Sequence, residues 1–99
     1  MTDSPQEQPV VDNTAAGRFE QRIGDDVAIA EYKRSGEVIT FTHTLVPEHL
    51  EGRGIASGIA KAALDQARAQ GLKVDPRCPF FADYIQKNPE YRDLLQSSD

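Results

Sequence analysis

Val46-Pro47-Glu48-His49-Leu50-Glu51-Gly52-Arg53-Gly54-Ile55-Ala56-Ser57-Gly58-Ile59-Ala60-Lys61 is the stretch on which the rest of the chain turns. It leaves a β-rich run, passes through a loop holding Gly52 and Gly54, and enters a helix rich in Ala and Ile. A strand, a glycine loop and a helix start together make an anion site out of backbone. The first helical turn has unpaired N–H groups at the positive end of the macrodipole, and glycines let a phosphate come close. Arg53 inside the loop offers a charged contact. Two glycines have a plainer reading as well, because a tight strand-to-helix turn needs them whether or not a ligand binds.

Upstream, residues 1–14 are polar and Pro-rich with only Val10-Val11 apolar, which is the composition of a flexible tail. Phe19, Gln21 and Ile23 then alternate with polar residues, Gly24-Asp25-Asp26 turns, and Val27–Tyr32 reads as a second strand. A second turn at Arg34-Ser35-Gly36-Glu37 leads into a longer strand over Val38–Val46. Such runs between Gly and Asp turns predict an antiparallel meander. Strict alternation in the third strand puts Ile39, Phe41, His43 and Leu45 on one face and Val38, Thr40, Thr42, Thr44 and Val46 on the other. Both faces are partly apolar, so the strand is expected to be covered on both sides.

Downstream, a helix is predicted from about Gly54 to Gln70, ending at Gly71. Ala56, Ala60, Ala63 and Ala67, with Ile55, Ile59 and Leu64 alongside, form its packing stripe, and Ser57, Lys61, Asp65 and Arg68 its polar one. Leu72–Asp75 is a short strand, and its order after the loop and helix makes it a parallel neighbour of the strand ending at Val46. Pro76 and Pro79 bracket Cys78. A helix over about Phe80–Lys87 follows, then a break at Asn88-Pro89, a short helix over Glu90–Leu95, and a frayed end at 96–99.

Two blocks of this sequence carry a family resemblance. The first block runs Val46-Pro47-Glu48 and then Gly52-Arg53-Gly54-Ile55-Ala56 into a helix; it resembles the acyl-CoA pyrophosphate loop of the GNAT N-acetyltransferase superfamily. Gly54 and Ala56 match the last two defined positions of the pattern Gln/Arg-x-x-Gly-x-Gly/Ala, while Glu51 stands where Gln or Arg is usual, and the approach through His49-Leu50-Glu51 is one residue longer. The second block is more specific: Thr42-His43-Thr44-x-Val46-Pro47, Gly71-Leu72-Lys73-Val74-x-Pro76-x-Cys78-Pro79-Phe80, Tyr84-Ile85 and Pro89-Glu90-Tyr91 resemble a small single-domain GNAT-like family.

That resemblance implies a reduced α+β acyl-CoA N-acyltransferase-like fold: a meander, then a β-loop-α-β unit with a splayed parallel strand pair, then C-terminal helices. It implies acetyl-CoA as co-substrate, held by Gly52, Arg53, Gly54, Ile55, Ala56 and Ser57, with the acyl carbonyl against the strand end at Leu45-Val46. The splay is expected between Thr44–Val46 and Leu72–Asp75. Acetyl transfer to a primary amine, on a small molecule or a lysine side chain, would proceed by direct attack; a non-catalytic acyl-CoA-binding or interaction module is the alternative. Tyr84 matches the usual general acid, and its plainer reading is a core aromatic with a surface hydroxyl.

Cys78 is read either as a small buried hydrophobe or as a thioester contact, acid or nucleophile. Nucleophilic use would draw on the helix start and Arg77 to lower its pKa. His43 is either a half-buried histidine satisfied by a carbonyl or a proton acceptor at the site edge, within reach of Cys78 if their strands adjoin.

Ninety-nine residues give one domain, assigned to 15–95, with a modest core. Hydrophobic residues make up 38% and charged ones 27%, a soluble globular balance, and no apolar run approaches the roughly 20 residues that span a bilayer. The start lacks a signal-peptide pattern and the lone cysteine suits a reducing compartment, so a cytoplasmic protein is expected. A net charge of −5 and the lack of a Lys/Arg cluster argue against nucleic acid. No metal, no membrane and a monomeric or weakly dimeric state complete the expectation.

Overall fold

A computed structural model describes residues 9–95 of the chain. Residues 1–8 and 96–99, which hold most of the expected tail and the frayed end, lie outside the described residues. Five strands form one mixed sheet in chain order: β1 (Val11–Asn13), β2 (Arg18–Ile23), β3 (Asp26–Ser35), β4 (Val38–Leu45) and β5 (Lys73–Pro76). The first four are antiparallel, and β5 joins β4 in parallel after crossing over through α1 (Ile55–Ala69). α2 (Pro79–Lys87) and a 3-10 turn over Pro89–Leu94 complete the fold, with Leu95 bridging to Val74 beyond β5.

The strand β1 falls inside the stretch expected to be a tail. Its hold comes from polar contacts that an apolar pattern does not reveal. Asp12 accepts a hydrogen bond from the Tyr32 hydroxyl at 2.6 Å and another from Gln66 Nε2 of α1 at 2.9 Å. Asn13 donates to Glu20, which also pairs with Arg18.

The helix α1 starts and stops for identifiable reasons. Its Ala-rich composition favours helix, and Ile55, Ile59, Ala60, Ala63, Leu64 and Ala67 are buried against the sheet as their spacing predicts. It ends in a Schellman arrangement: Leu72 N–H bonds to Ala67 C=O at 2.9 Å and Gly71 N–H to Arg68 C=O at 3.1 Å, with Gly71 at φ +70°. Buried Leu72 then feeds directly into β5.

The sheet buries one face. Phe19 and Ile23, Ala28 and Ala30, Ile39 and Phe41, and Val74 point into a common core with α1 and α2, and the residues that alternate with them are half-buried or exposed. The expectation that β4 is covered on both sides is therefore corrected. Aromatic rings knit the core: Phe41 stacks on Phe81 of α2 with centroids 4.1 Å apart, Phe19 tilts against Phe41, and Tyr32 meets it edge-on.

One irregularity in β4 sets everything that follows. Tyr32 pairs with Phe41 but Glu31 pairs with His43, so Thr42 is an extra residue, a β-bulge, and its hydroxyl donates to Glu31 C=O at 3.3 Å. Two β4 residues facing one on β3 puts Thr42 and His43 on the same, outer side, and alternation restarts one step late. His43 and Leu45 are consequently exposed, Leu45 by 53%, while Thr44 turns inward. The predicted sharing of a face by Phe41, His43 and Leu45 fails at this bulge.

Candidate acyl-CoA site

The pairing of β4 with β5 ends at Phe41 and Pro76. Cys78 N–H then bonds to Phe41 C=O at 2.8 Å, and past that point the two segments part. The splay therefore opens between Thr42–Val46 and Arg77–Phe80, later in the chain than the Leu72–Asp75 expected: Lys73–Pro76 is still paired with Val38–Phe41. Phe41 directs its carbonyl toward β5, and alternation resumed after the bulge turns the main chain of Thr44 and Val46 toward the gap, with that of Leu45 toward β3. Leu45 thus faces Ile29 across the ladder.

A pocket of about 430 Å³ fills the space between the end of β4, the loop and the start of α1. Thr44 and Val46 form its strand wall, Leu50, Glu51, Gly52 and Gly54 its loop wall, Ile55, Ala56 and Ser57 its helix wall, and Phe80 its far side. Gly54 is the N-cap of α1 at φ +77°, a left-handed conformation that glycine adopts without a Cβ penalty. No side chain caps the helix and its first turn holds no acid. Gly58 is the first residue whose N–H closes back, onto Gly54 C=O at 3.0 Å. Helix geometry leaves the N–H groups of Ile55, Ala56 and Ser57 without intrahelical acceptors, at the positive end of the dipole and lining the pocket. An anion fits that environment. Glu51 on the opposite wall opposes one.

Of the residues expected to hold acyl-CoA, Val46, Gly52, Gly54, Ile55, Ala56 and Ser57 line this pocket together. Leu45 carries its side chain out to the other face of the sheet, and Arg53 is exposed in the loop. Leu50 and Phe80 join the lining without having been singled out, and Thr44, expected only as the edge of the splay, joins it too. The sequence shows Phe80 only as an anchor of α2, and Leu50 is the one buried residue of the 3-10 turn Glu48–Leu50. The inward turn of the Thr44 side chain follows only from the bulge.

Cys78 caps α2, is 5% exposed, and has its Sγ 3.3 Å from Thr44 Oγ1 across the splay. Arg77 turns away from it to pair with Asp75 at 3.0 Å, so one expected source of thiolate stabilisation is engaged elsewhere. His43 is on the outer face of β4, and the side chain that meets Cys78 from that strand is Thr44. The histidine with an acidic partner is His49, 2.8 Å from Asp26.

Tyr84 lies one helical turn beyond Phe80, with ring centroids 6.3 Å apart, and does not line the pocket itself. Its hydroxyl has no hydrogen bond among the described residues, and burial, more than the nearby charges, raises its pKa. Tyr91 is different. Its hydroxyl donates to Asp65 at 2.6 Å, burial and that contact push its pKa up, and the same bond lowers that of Asp65. Tyr91 is a structural strut and Tyr84 a half-buried phenol free to bond. Among the described residues no group of three or more His, Cys, Asp or Glu side chains is gathered to hold a metal ion, and no helix is long and apolar enough to cross a membrane.

A parallel strand pair that splays beside an uncapped helix start defines a class, and comparison with known proteins gives the same one. The chain belongs to the GCN5-related N-acetyltransferase family, whose model matches residues 18–94. It is 38% identical over 74 residues to mouse protein NATD1, covering 72% of this chain and 67% of that one. Protein NATD1 of Xenopus tropicalis is 36% identical over the same length, with 72% and 68% covered. Among solved structures, a GCN5-like protein from Staphylococcus aureus superimposes with a TM-score of 0.66 at 28% identity, over 84% of each chain.

Proposed function

We propose that this chain is an acetyl-CoA-dependent N-acetyltransferase acting on a primary amine. The observation that carries this reading is the gap between β4 and β5 opening onto the uncapped start of α1. Family membership implies an acyl-CoA co-substrate, and the fit is chemical: three first-turn N–H groups, glycine at the N-cap and an apolar wall of Val46, Leu50 and Phe80 suit a pyrophosphate joined to a pantetheine arm. The pyrophosphate rests on N–H groups between Arg53 and Ser57. The thioester carbonyl lies against the main chain of β4 where Val46 faces the gap.

In this reading the amine lone pair attacks the thioester carbon, the C–S bond breaks, and the departing thiolate takes a proton. Tyr84 supplies it, since a phenol with a raised pKa stays protonated at neutral pH and its hydroxyl has no competing bond among the described residues. The attacking nitrogen gives its own proton to solvent. Cys78, buried and in contact with Thr44, backs the wall of the thioester pocket and forms no acyl intermediate. His43 has no part, because the bulge turns it to the outer face.

A second reading, a domain that binds acyl-CoA without turnover, draws on Glu51, which lines the loop wall of the pocket and whose negative charge opposes an anion there. Titration calorimetry with CoA tests the binding that both readings share. Thiol release from acetyl-CoA with a panel of amines separates them: release that depends on an amine supports the transferase, and none with any amine leaves the binding module.

A further inference from the structure

We infer that Thr44 and Cys78 together close the inner end of the pocket and restrict the acyl group to acetyl or propionyl; the inference rests on the acyl-CoA reading above. Thr44 is the pocket-lining residue of β4 nearest the branch point at Phe41, where pairing with β5 stops. Its hydroxyl and the Cys78 thiol meet at 3.3 Å across the two diverging segments. This contact joins the segments just beyond the Cys78 N–H bond to Phe41 C=O.

The wall at this point belongs to the core: Cys78 is buried in one cluster with Phe41 and Phe81, and those two fully buried rings stack face to face with an interplanar angle of 8°. Protein interiors are packed near crystal density, so there is no slack into which the wall retreats. An acyl chain growing toward the apex must separate Thr44 from Cys78 and then press on the stacked rings. The apolar chain returns no bond to the hydroxyl it displaces. An acetyl methyl can instead remain between Thr44, Val46 and Phe80, all of which line the pocket. The limit on chain length is therefore set by two side chains, each removable without touching the loop that would hold the phosphates.

Calorimetric titration of the full chain with CoA, acetyl-CoA and butyryl-CoA tests this, using wild type, Thr44→Ala, Cys78→Ala and Thr44→Ile, with circular dichroism confirming the fold of each. Wild type should bind butyryl-CoA about tenfold more weakly than acetyl-CoA. Thr44→Ala and Cys78→Ala should bind butyryl-CoA at least as tightly as acetyl-CoA, with a gain of up to about fourfold for each methylene newly buried. Thr44→Ile narrows the end instead, and should weaken acetyl-CoA about tenfold while leaving CoA unchanged. If both alanine variants unfold, the isoleucine variant decides alone. A wild type that accepts butyryl as well as acetyl overturns the inference, as do folded variants that keep the wild-type length profile. Failure of wild type to bind CoA at all overturns the acyl-CoA reading itself, and this inference with it.

Discussion

Gly54 joins the fold to the candidate site, and replacing it separates the two. Its φ of +77° puts the N-cap of α1 in the left-handed region, where an L-residue with a Cβ pays about 1–2 kcal/mol. A Cβ built there meets no protein atom within 4 Å, so crowding adds nothing to that cost. Gly54→Val therefore carries the backbone penalty, more than the average because Val is β-branched, and melts roughly 4–8 °C lower per kcal/mol for a domain of this size. Gly54→Asn largely escapes it, since Asn tolerates the left-handed conformation. Both put a side chain at the N-cap, on a wall of the pocket. Thermal melts and CoA calorimetry on the two variants then give separate answers: Asn should keep nearly the wild-type melting temperature, and both should weaken CoA binding about tenfold or more by occupying the approach to the first-turn N–H groups. A Gly54→Asn protein that melts and binds CoA like wild type would refute the phosphate-loop reasoning.

Tyr84→Phe should lower kcat strongly with CoA affinity nearly unchanged, because the hydroxyl acts only as the thiolate leaves; an unchanged kcat where chemistry limits turnover returns Tyr84 to a packing role. Cys78→Ala should keep turnover within about tenfold, and wild type mixed with acetyl-CoA and no amine should show no stoichiometric gain of about 42 Da at Cys78; a stable, amine-dischargeable adduct there would establish a covalent route. Burial first, and then the bond to Asp12, push the Tyr32 pKa up to about 12. The neutral phenol is therefore favoured in the folded state: its contribution to stability is complete below the unfolded pKa of about 10 and is lost as pH rises through the folded value. Denaturant melts should show stability falling over that window and falling less in Tyr32→Phe; equal slopes in the two proteins contradict the assignment.

The sequence made the fold legible where its signals are local. Alternation located β2, β3 and β4, the 3.6-residue period and Gly71 bounded α1, and the order of strand, loop, helix and strand placed β5 parallel to β4. Long-range polar contacts were hidden. Nothing in Val11-Asp12-Asn13 announces a strand until Tyr32 and Gln66 are seen to converge on Asp12 from 20 and 54 residues away. The bulge is hidden for a different reason: alternation along β4 predicts a strict period of two, and one extra residue at Thr42 inverts every side chain after it. That single step moved His43 and Leu45 out of the candidate site and brought Thr44 in. The phosphate side escaped this error because its groups belong to the backbone at a helix start, where position in the chain fixes the donors.

Phe41 shows why the core and the gap cannot be treated as separate designs. It is the last β4 residue to pair with β5, its carbonyl holds Cys78 N–H, and its ring stacks on Phe81 of α2. The next residue, Thr42, is the bulge. Pairing to the left of Phe41 keeps β5 in the sheet; the proline at position 76 and the turn into α2 take it out on the right, and the Phe41–Phe81 stack holds α2 against the sheet while the segments diverge. The opening is thus braced by the most buried aromatic pair in the molecule. Loss of either ring leaves a cavity costing about 3–5 kcal/mol, a large share of the stability of a domain this small. The same loss would free the splay to close or widen, so a substitution at Phe41 reaches the site through the core.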